Sequence, residues 1–385
     1  MLILFKLLKS KGGRFKKIEL GYSMDLELLR SYLCYFSIFI PVGHSTILIK
    51  TISIIFLLAN TVYSFFFTIS GFVIYYSLTS TTSFLVFWKK RFIRLFPSML
   101  LASILTFVIF NFFDNTFILK DSHEIKNFLP SITFINPLTF NLLVHHLGFN
   151  INTSYLNGSY WSLWPEVQFY LFASIIYYTN KVHFIRNFSL ISIALIIIHI
   201  FFKETDLELV NIYYIKKLLE TLRVILFYHF NLAAYLSYFA IGTLLCQLYT
   251  DKNLAIKKTG SFSLYIIIPL ILLQFYLAND LTIGLINFLI IIMFVLFIFQ
   301  PKYLFFAQYP IVKNIGISSY FLYLIHEHIG VLIIHNWGGY LHPTFIAPLV
   351  VIICFIIMSI LYYTKIEKNI SARLTKLFIN VNKKK

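Results

Sequence analysis

Ten apolar runs, each long enough for several turns of helix, recur along this chain, and they leave few folds open to it. They cover about 31–49, 51–78, 95–112, 164–180, 187–202, 224–248, 262–278, 281–299, 316–335 and 345–363. A bilayer hydrocarbon core is crossed by roughly 20 apolar residues of helix. Within lipid, a helix satisfies its own backbone N–H and C=O groups, which an open sheet cannot do. The runs therefore predict an all-α polytopic transmembrane helical bundle of about ten spans. Composition excludes the alternatives. Hydrophobic residues make up 59% of the chain and charged residues 12%, where a soluble domain carries about 25% charged. With 14 Gly and three Cys, the chain is neither collagen-like nor a disulfide scaffold. Cys34, Cys246 and Cys354 all sit inside apolar runs, with no CxxC or Cys/His spacing, and read as small buried hydrophobes; no metal site is expected.

The basic residues set an orientation. The first residues, Met1 to Leu8, are apolar but short, and a basic stretch follows them (Lys9, Lys11, Arg14, Lys16, Lys17). That order is the reverse of a cleaved signal peptide, so 1–30 reads as a cytoplasmic basic N-terminal segment. Residues 31–364 form the transmembrane domain, and 365–385 a cytoplasmic basic tail. With both termini cytoplasmic, 25 of the 32 Lys and Arg fall inside and 7 outside. This is the split that positive-inside insertion produces; an odd number of spans would spoil it. The net charge of +17 thus reads as anchoring to the lipid bilayer, and no nucleic-acid partner is expected. Both long connections, about 113–160 and 203–223, fall outside. The first holds Pro130, Pro137, Gly148, Gly158 and the pair His145-His146; connections of that length usually carry function, and it is expected to cover an outward-facing site.

Polar and ionisable groups in spans are costly and tend to face a cavity or the bundle interior. Four places concentrate them. His44 stands near the outer end of the first span and Arg30 at its inner start, about 21 Å apart on a continuous helix. The run Lys89-Lys90-Arg91-Phe92-Ile93-Arg94 puts Arg91 and Arg94 at i, i+3 and Lys90 and Arg94 at i, i+4. A cationic face of that kind suits a phosphate-bearing ligand, and equally a plain positive-inside anchor at lipid headgroups. Trp161-Ser162-Leu163-Trp164-Pro165-Glu166 opens the fourth span. There Pro165 fits a first helical turn, and the helix dipole favours an ionised Glu166. In the ninth span Ser319, Tyr323, His326 and Gly330 share one helix face, with Glu327 and His328 beside them; in the second, Ser64, Thr68, Gly71 and Tyr75 repeat the spacing. Both stripes suit a polar cavity or close helix packing.

In this order, these segments resemble the acyltransferase family 3 of integral membrane proteins, of the bacterial polysaccharide O-acetyltransferase type. Phe65-Phe66-Phe67-Thr68-Ile69-Ser70-Gly71-Phe72 is similar to the family's FF-x-x-SGF phrase. Arg91-x-x-Arg94-x-x-Pro97, Trp161-Ser162-Leu163-x-x-Glu166-x-x-Phe169-Tyr170 and Ser319-Tyr320-x-x-Tyr323-Leu324-x-His326 match three further phrases. Tyr238-Phe239-x-x-Gly242 is a weaker fit. The resemblance runs from about Leu26 to Tyr363. It departs at three places. Leu33 stands where members carry Arg eleven residues before the first-span His, with Arg30 one turn earlier on nearly the same face; Val62 replaces a Gly; and His328 stands where a Pro is usual.

The resemblance implies an enzyme of the inner membrane. It would move an acyl group, most often acetyl, from cytoplasmic acyl-CoA to a hydroxyl of a surface or lipid-linked glycan; acetyl-CoA is then a donor substrate and no cofactor is bound. It implies His44 as general base or transient acyl carrier, with Arg30 orienting it or stabilising negative charge and Glu166 holding the acceptor or the imidazole. Arg91, Arg94 and Lys90 would meet the donor phosphates, and Trp161, Ser162, Tyr323 and His326 would line the acceptor cavity. The competing reading is a polytopic transporter or flippase of a lipid-linked saccharide. It would predict two related halves and broken helices near the midplane; the sequence shows no internal repeat, and Pro41-Val42-Gly43 is the one candidate break. A non-catalytic sensor or assembly partner on the same fold is a further alternative.

Overall fold

The computed structural model describes residues 46–206, 213–253, 260–277, 281–300, 309–340 and 346–379. Among these the chain is helical, with no strand. In chain order the helices are α1 (Thr46–Thr79), α2 (Phe84–Phe113), the short α3 (Phe128–Thr133) and α4 (Pro137–His146), α5 (Leu163–Thr179) and α6 (Phe184–Glu204). Then come α7 (Tyr213–Val224), α8 (Leu232–Asn253), α9 (Gly260–Leu277), α10 (Leu281–Phe299), α11 (Pro310–Trp337), α12 (Ile346–Tyr362) and α13 (Lys368–Phe378). Every predicted segment from 51–78 onward except 224–248 falls largely on one of these helices. The first, about 31–49, lies outside the described residues except where 46–49 open α1. Among the described residues, α2, α6, α8, α10, α11 and the run from Ile346 to Phe378 are long and apolar enough to cross a membrane, and α9 carries a shorter apolar stretch.

Burial separates inner helices from outer ones. The apolar windows of α8 and α11 are 72% and 78% buried, against 28% for those of α10 and the Ile346–Phe378 run. A helix apolar all round but buried on one side alone has lipid for its other neighbour, so α8 and α11 form the centre and α10 and α12 the rim. Cys246 is buried in α8, while Cys354 faces outward on α12.

The central contact is the crossing of α1 and α8, and small residues make it. A Cβ on Gly71 would lie 2.1 Å from the Phe239 carbonyl oxygen, and one on Gly242 would lie 1.9 Å from that of Thr68. The two backbones touch, as membrane helices do where neither carries a side chain at the crossing. Thr243 Oγ1 donates to the Gly71 carbonyl at 3.3 Å, and Phe169 of α5 stacks on Phe239 of α8 at 4.2 Å. The Ser64/Thr68/Gly71 stripe is therefore used at least partly for close packing. Beside it, Ser64 Oγ donates to Asn287 Oδ1, whose amide donates to Tyr238.

One predicted span differs in its boundary. The apolar run 224–248 is broken: a π turn, Ile225–His229, ends it early, and the spanning helix restarts at Leu232. The cause lies on α5. Trp164 Nε1 and Gln168 Nε2 both donate to the His229 carbonyl, at 3.0 and 2.7 Å, and Gln168 Oε1 accepts from the Leu232 N–H at 3.0 Å. Side chains from another helix take up the backbone groups that continuous helix would have paired, which makes the break tolerable.

At the opposite end, α12 passes through a π turn, Tyr363–Glu367, into α13. The basic tail is thus helical as far as Phe378, and it lies against α2. Lys89 Nζ donates to the Phe378 carbonyl at 3.1 Å, and the Phe92 and Phe378 rings meet edge to face.

Candidate functional site

Glu166 is the most deeply buried carboxylate of the described site, 1% exposed in the first turn of α5. Its Oε1 accepts hydrogen bonds from Ser70 Oγ of α1 at 2.9 Å and from the Tyr170 hydroxyl, one turn along α5, at 2.5 Å. Both hydroxyls thus converge on one oxygen of a carboxylate at the N-terminal turn of its helix. Ser70 sits directly before Gly71, so the crossing that seats α1 on α8 also sets where this hydroxyl stands.

Tyr170 has a second neighbour. The Arg91 guanidinium lies over its ring at 5.9 Å and over that of Phe87 at 5.5 Å, while Nη2 donates to Ser77 Oγ at 2.8 Å. Ser70 and Ser77 are seven residues apart on α1, about 10 Å along its axis. One helix thus offers a hydroxyl to the carboxylate and another, two turns on, to the guanidinium. One tyrosine spans the interval between the two charges.

Arg94, expected to act with Arg91, is placed differently. Its Nη1 donates to Glu367 Oε1 at 2.5 Å, and its guanidinium lies over the Tyr320 ring at 5.8 Å. Lys90 is half-buried on the same helix, one turn before Arg94.

The segment Gly158–Ser162 is a 3-10 turn leading into α5. Ser162 is buried and its hydroxyl contacts that of Tyr323 on α11; the Tyr323 hydroxyl also donates to the Ser159 carbonyl at 2.5 Å. His326 Nδ1 donates to the Tyr323 carbonyl at 2.6 Å. A carbonyl only accepts, so the hydrogen bond assigns that proton to Nδ1. Trp161 is half-buried, its ring 5.9 Å from Tyr235 of α8. Ser162 on the turn, Glu166 on α5, and Tyr323 and His326 on α11 are thus all buried, with Trp161 half-buried beside Ser162. His44 and Arg30 lie outside the described residues.

The long connection between α2 and α5 is fastened to α11 by His328. The Gly158 N–H donates to its Nε2 at 2.9 Å, and Nδ1 faces Ser122 Oγ at 2.8 Å and the Leu156 carbonyl at 3.2 Å. Nε2 accepts, so Nδ1 carries the proton, and the imidazole is neutral with both nitrogens engaged. The Asn157 amide donates to the Leu324 carbonyl at 3.1 Å, and the Glu327 carboxylate abuts Gly158. The connection does lie over α11, while His145 and His146 are exposed and take no part. Beyond the spans, Asp114 ends α2. Burial alone would raise its pKa, but hydrogen bonds from His123 and Thr116 outweigh that and hold it below the usual carboxylate range.

The residues the sequence did not single out are Ser77, Ser122 and Glu367, and the roles of Ser70 and Tyr170. Ser70 and Tyr170 stand inside matched phrases, a signal that could have found them. Glu367 partners a residue 273 positions away, and no spacing announces that. Among the described residues, no group of three or more His, Cys, Asp or Glu is placed to hold a metal ion.

A family model described as an acyltransferase domain matches residues 27–363. No curated protein and no solved structure matches the chain.

Proposed function

The chain belongs to the integral-membrane acyltransferase family 3, and from that premise we propose that it is an O-acyltransferase that acetylates a glycan outside the cell from acetyl-CoA inside it. In this reading the chain crosses the inner membrane of a bacterium ten times with both termini cytoplasmic. The end of α2 bearing Lys90, Arg91 and Arg94 faces the cytoplasm, and the Gly158–Ser162 turn faces outward.

The observation that supports it best is the shared tyrosine. A guanidinium suited to a donor phosphate and a carboxylate suited to a sugar hydroxyl meet on opposite sides of Tyr170, one at its ring and one at its hydroxyl. A lipid-linked saccharide also carries a phosphate beside sugar hydroxyls, so it is the acyltransferase family match that makes this pairing read as a site joining two substrates.

The chemistry is a transesterification. The acceptor oxygen attacks the thioester carbonyl carbon, its proton passes to a base, the C–S bond breaks, and the CoA sulfur leaves as thiolate and is reprotonated. His44 is the proposed base, since an imidazole titrates near working pH; carriage of the acyl group on the ring itself is the variant route. Arg30 stabilises the negative charge of the tetrahedral intermediate. Glu166, fixed by Ser70 and Tyr170, holds the acceptor or the imidazole. Ser162, Tyr323, His326 and Trp161 line the acceptor side.

The test is mass spectrometry of surface glycans from cells carrying the intact chain, none, or His44→Ala at equal membrane level. Acylation present only with the intact chain is the expected result. Acylation undiminished by His44→Ala removes that residue from the chemistry, and acylation indifferent to the whole chain removes the function. A flippase would also differ in gaining no thermal stability from acetyl-CoA.

A further inference from the structure

Arg91 and Arg94 stand three residues apart on α2, yet they occupy different environments. Arg94 is compensated from within the protein. Its ion pair with Glu367 is short, both side chains are largely buried, and Nη2 also reaches the Ile317 carbonyl at 3.5 Å. Arg91, among the described residues, has no carboxylate beside it. Aromatic rings and one serine hydroxyl hold it, so what separates the two arginines is the carboxylate that stands at Arg94.

Glu367 is four residues past the end of the acyltransferase domain, which closes at 363. Its carboxylate is 3% exposed. From the same segment, Phe378 receives Lys89 at its carbonyl and Phe92 at its ring. The C-terminal helix is thus tied to α2 at Lys89, Phe92 and Arg94, three positions around the residue that remains uncompensated.

We infer that Arg94 and Glu367 form a clasp that fastens the C-terminal segment onto α2, and that Arg91 is the guanidinium left to receive a phosphate of the acyl-CoA donor. The division follows from competition. A phosphate approaching Arg94 must displace a tethered, buried carboxylate and strand it without a counter-charge. A phosphate approaching Arg91 displaces no charge and adds an acceptor. Glu367 is accordingly a positioning residue, and it touches no substrate. The second half of this inference rests on the acyl-CoA reading above; the clasp itself does not.

The experiment uses the full chain in lipid nanodiscs and acetyl-CoA as probe. Arg91→Met should weaken acetyl-CoA binding by about tenfold or more, the size of a lost charge-assisted contact. The exchanged pair Arg94→Glu with Glu367→Arg should bind acetyl-CoA within about twofold of the parent, since the clasp survives reversal and a phosphate contact would not. Should the exchanged protein fail to fold, Glu367→Gln gives the same reading at constant volume. Its acetyl-CoA affinity should stay unchanged while trypsin gains access at Lys368, Arg373 and Lys376. Weakening by the exchanged pair as large as that by Arg91→Met, or tighter binding by Glu367→Gln, would make Arg94 a donor ligand and overturn the division. Trypsin resistance unaltered by Glu367→Gln would overturn the clasp. A parent protein that binds no acetyl-CoA sinks the donor reading and Arg91's role with it, and the trypsin result still decides the clasp.

Discussion

Placing one methyl group at the crossing of α1 and α8 tests the architecture that positions Ser70. In Gly242→Ala the new Cβ would fall 1.9 Å from the Thr68 carbonyl oxygen, 2.8 Å from its carbon and 2.9 Å from the Phe72 nitrogen. All three are backbone atoms of a helix, so no rotamer change relieves them, and the helices must part by more than about 1 Å. Overpacking of this kind costs about 1–3 kcal/mol, and contact with rigid backbone argues for the upper end. Ser70 stands between these contacts, and its 2.9 Å bond to Glu166 is long enough that such a shift breaks it. Gly242→Ala should therefore lose both stability and acyl transfer. Gly71→Ala should do the same, its Cβ meeting the Phe239 carbonyl at 2.1 Å. The two glycines relieve one crossing, so the double variant should cost less than the sum of the singles. Gly148→Ala is the control: its φ of +89° strains an alanine, by about 1 kcal/mol, but nothing lies within 4 Å. The assay is thermal unfolding of the purified protein in detergent alongside acyl transfer in membranes. Parental stability in Gly242→Ala, or costs for the two glycines that simply add, would refute a backbone-to-backbone crossing.

Three further outcomes are expected. Glu166→Gln keeps the shape but removes the charge that Ser70 and Tyr170 donate to, and should lower the acyl-transfer rate by about 10²-fold or more; Tyr170→Phe should be milder, about tenfold. Single-turnover kinetics in membranes would check both, and equal effects would place the hydroxyl and the carboxylate in one inseparable role. Gln168→Leu orphans the buried Leu232 N–H and removes one of the two donors to the His229 carbonyl, and should destabilise by about 1–3 kcal/mol, read from thermal unfolding. For Asp114 the folded pKa is depressed, so the stability it lends to the connection after α2 is present above its unfolded pKa and is lost as pH falls through the lower folded value. Amide exchange across 114–128 should quicken in that acid window, and Asp114→Asn should abolish the pH dependence.

Much of the fold is legible because a spanning helix is a local property. Each needs a run of apolar residues, and runs such as 281–299 and 316–335 mark α10 and α11 without reference to anything distant. What the sequence hides are contacts made at long range. The break before Leu232 is invisible in its own apolar stretch, since Trp164 and Gln168 impose it from another helix. Arg91 and Arg94 look equivalent at i, i+3 until Glu367 arrives at one of them. His328 reads as an oddity in place of a proline, and it proves to be the pin between the long connection and α11. Glu166 and His326 were legible because ionisable groups are rare inside apolar segments, while Ser162 and Tyr323 stood out through the phrases that hold them; Ser70 and Tyr170, hydroxyls in matched phrases too, gave no sign of their partner.

A phenol gripped from two sides cannot respond to one without informing the other. If a bound anion draws the Arg91 guanidinium off the ring of Tyr170, the hydroxyl is released to turn from Glu166, and a sugar pulling on Glu166 works back along the same path. Thermodynamic linkage makes such traffic mutual: whatever factor one substrate imposes on the other's affinity is returned in full. On the proposed reading, the donor and acceptor sites would then sense each other's occupancy through a single aromatic side chain.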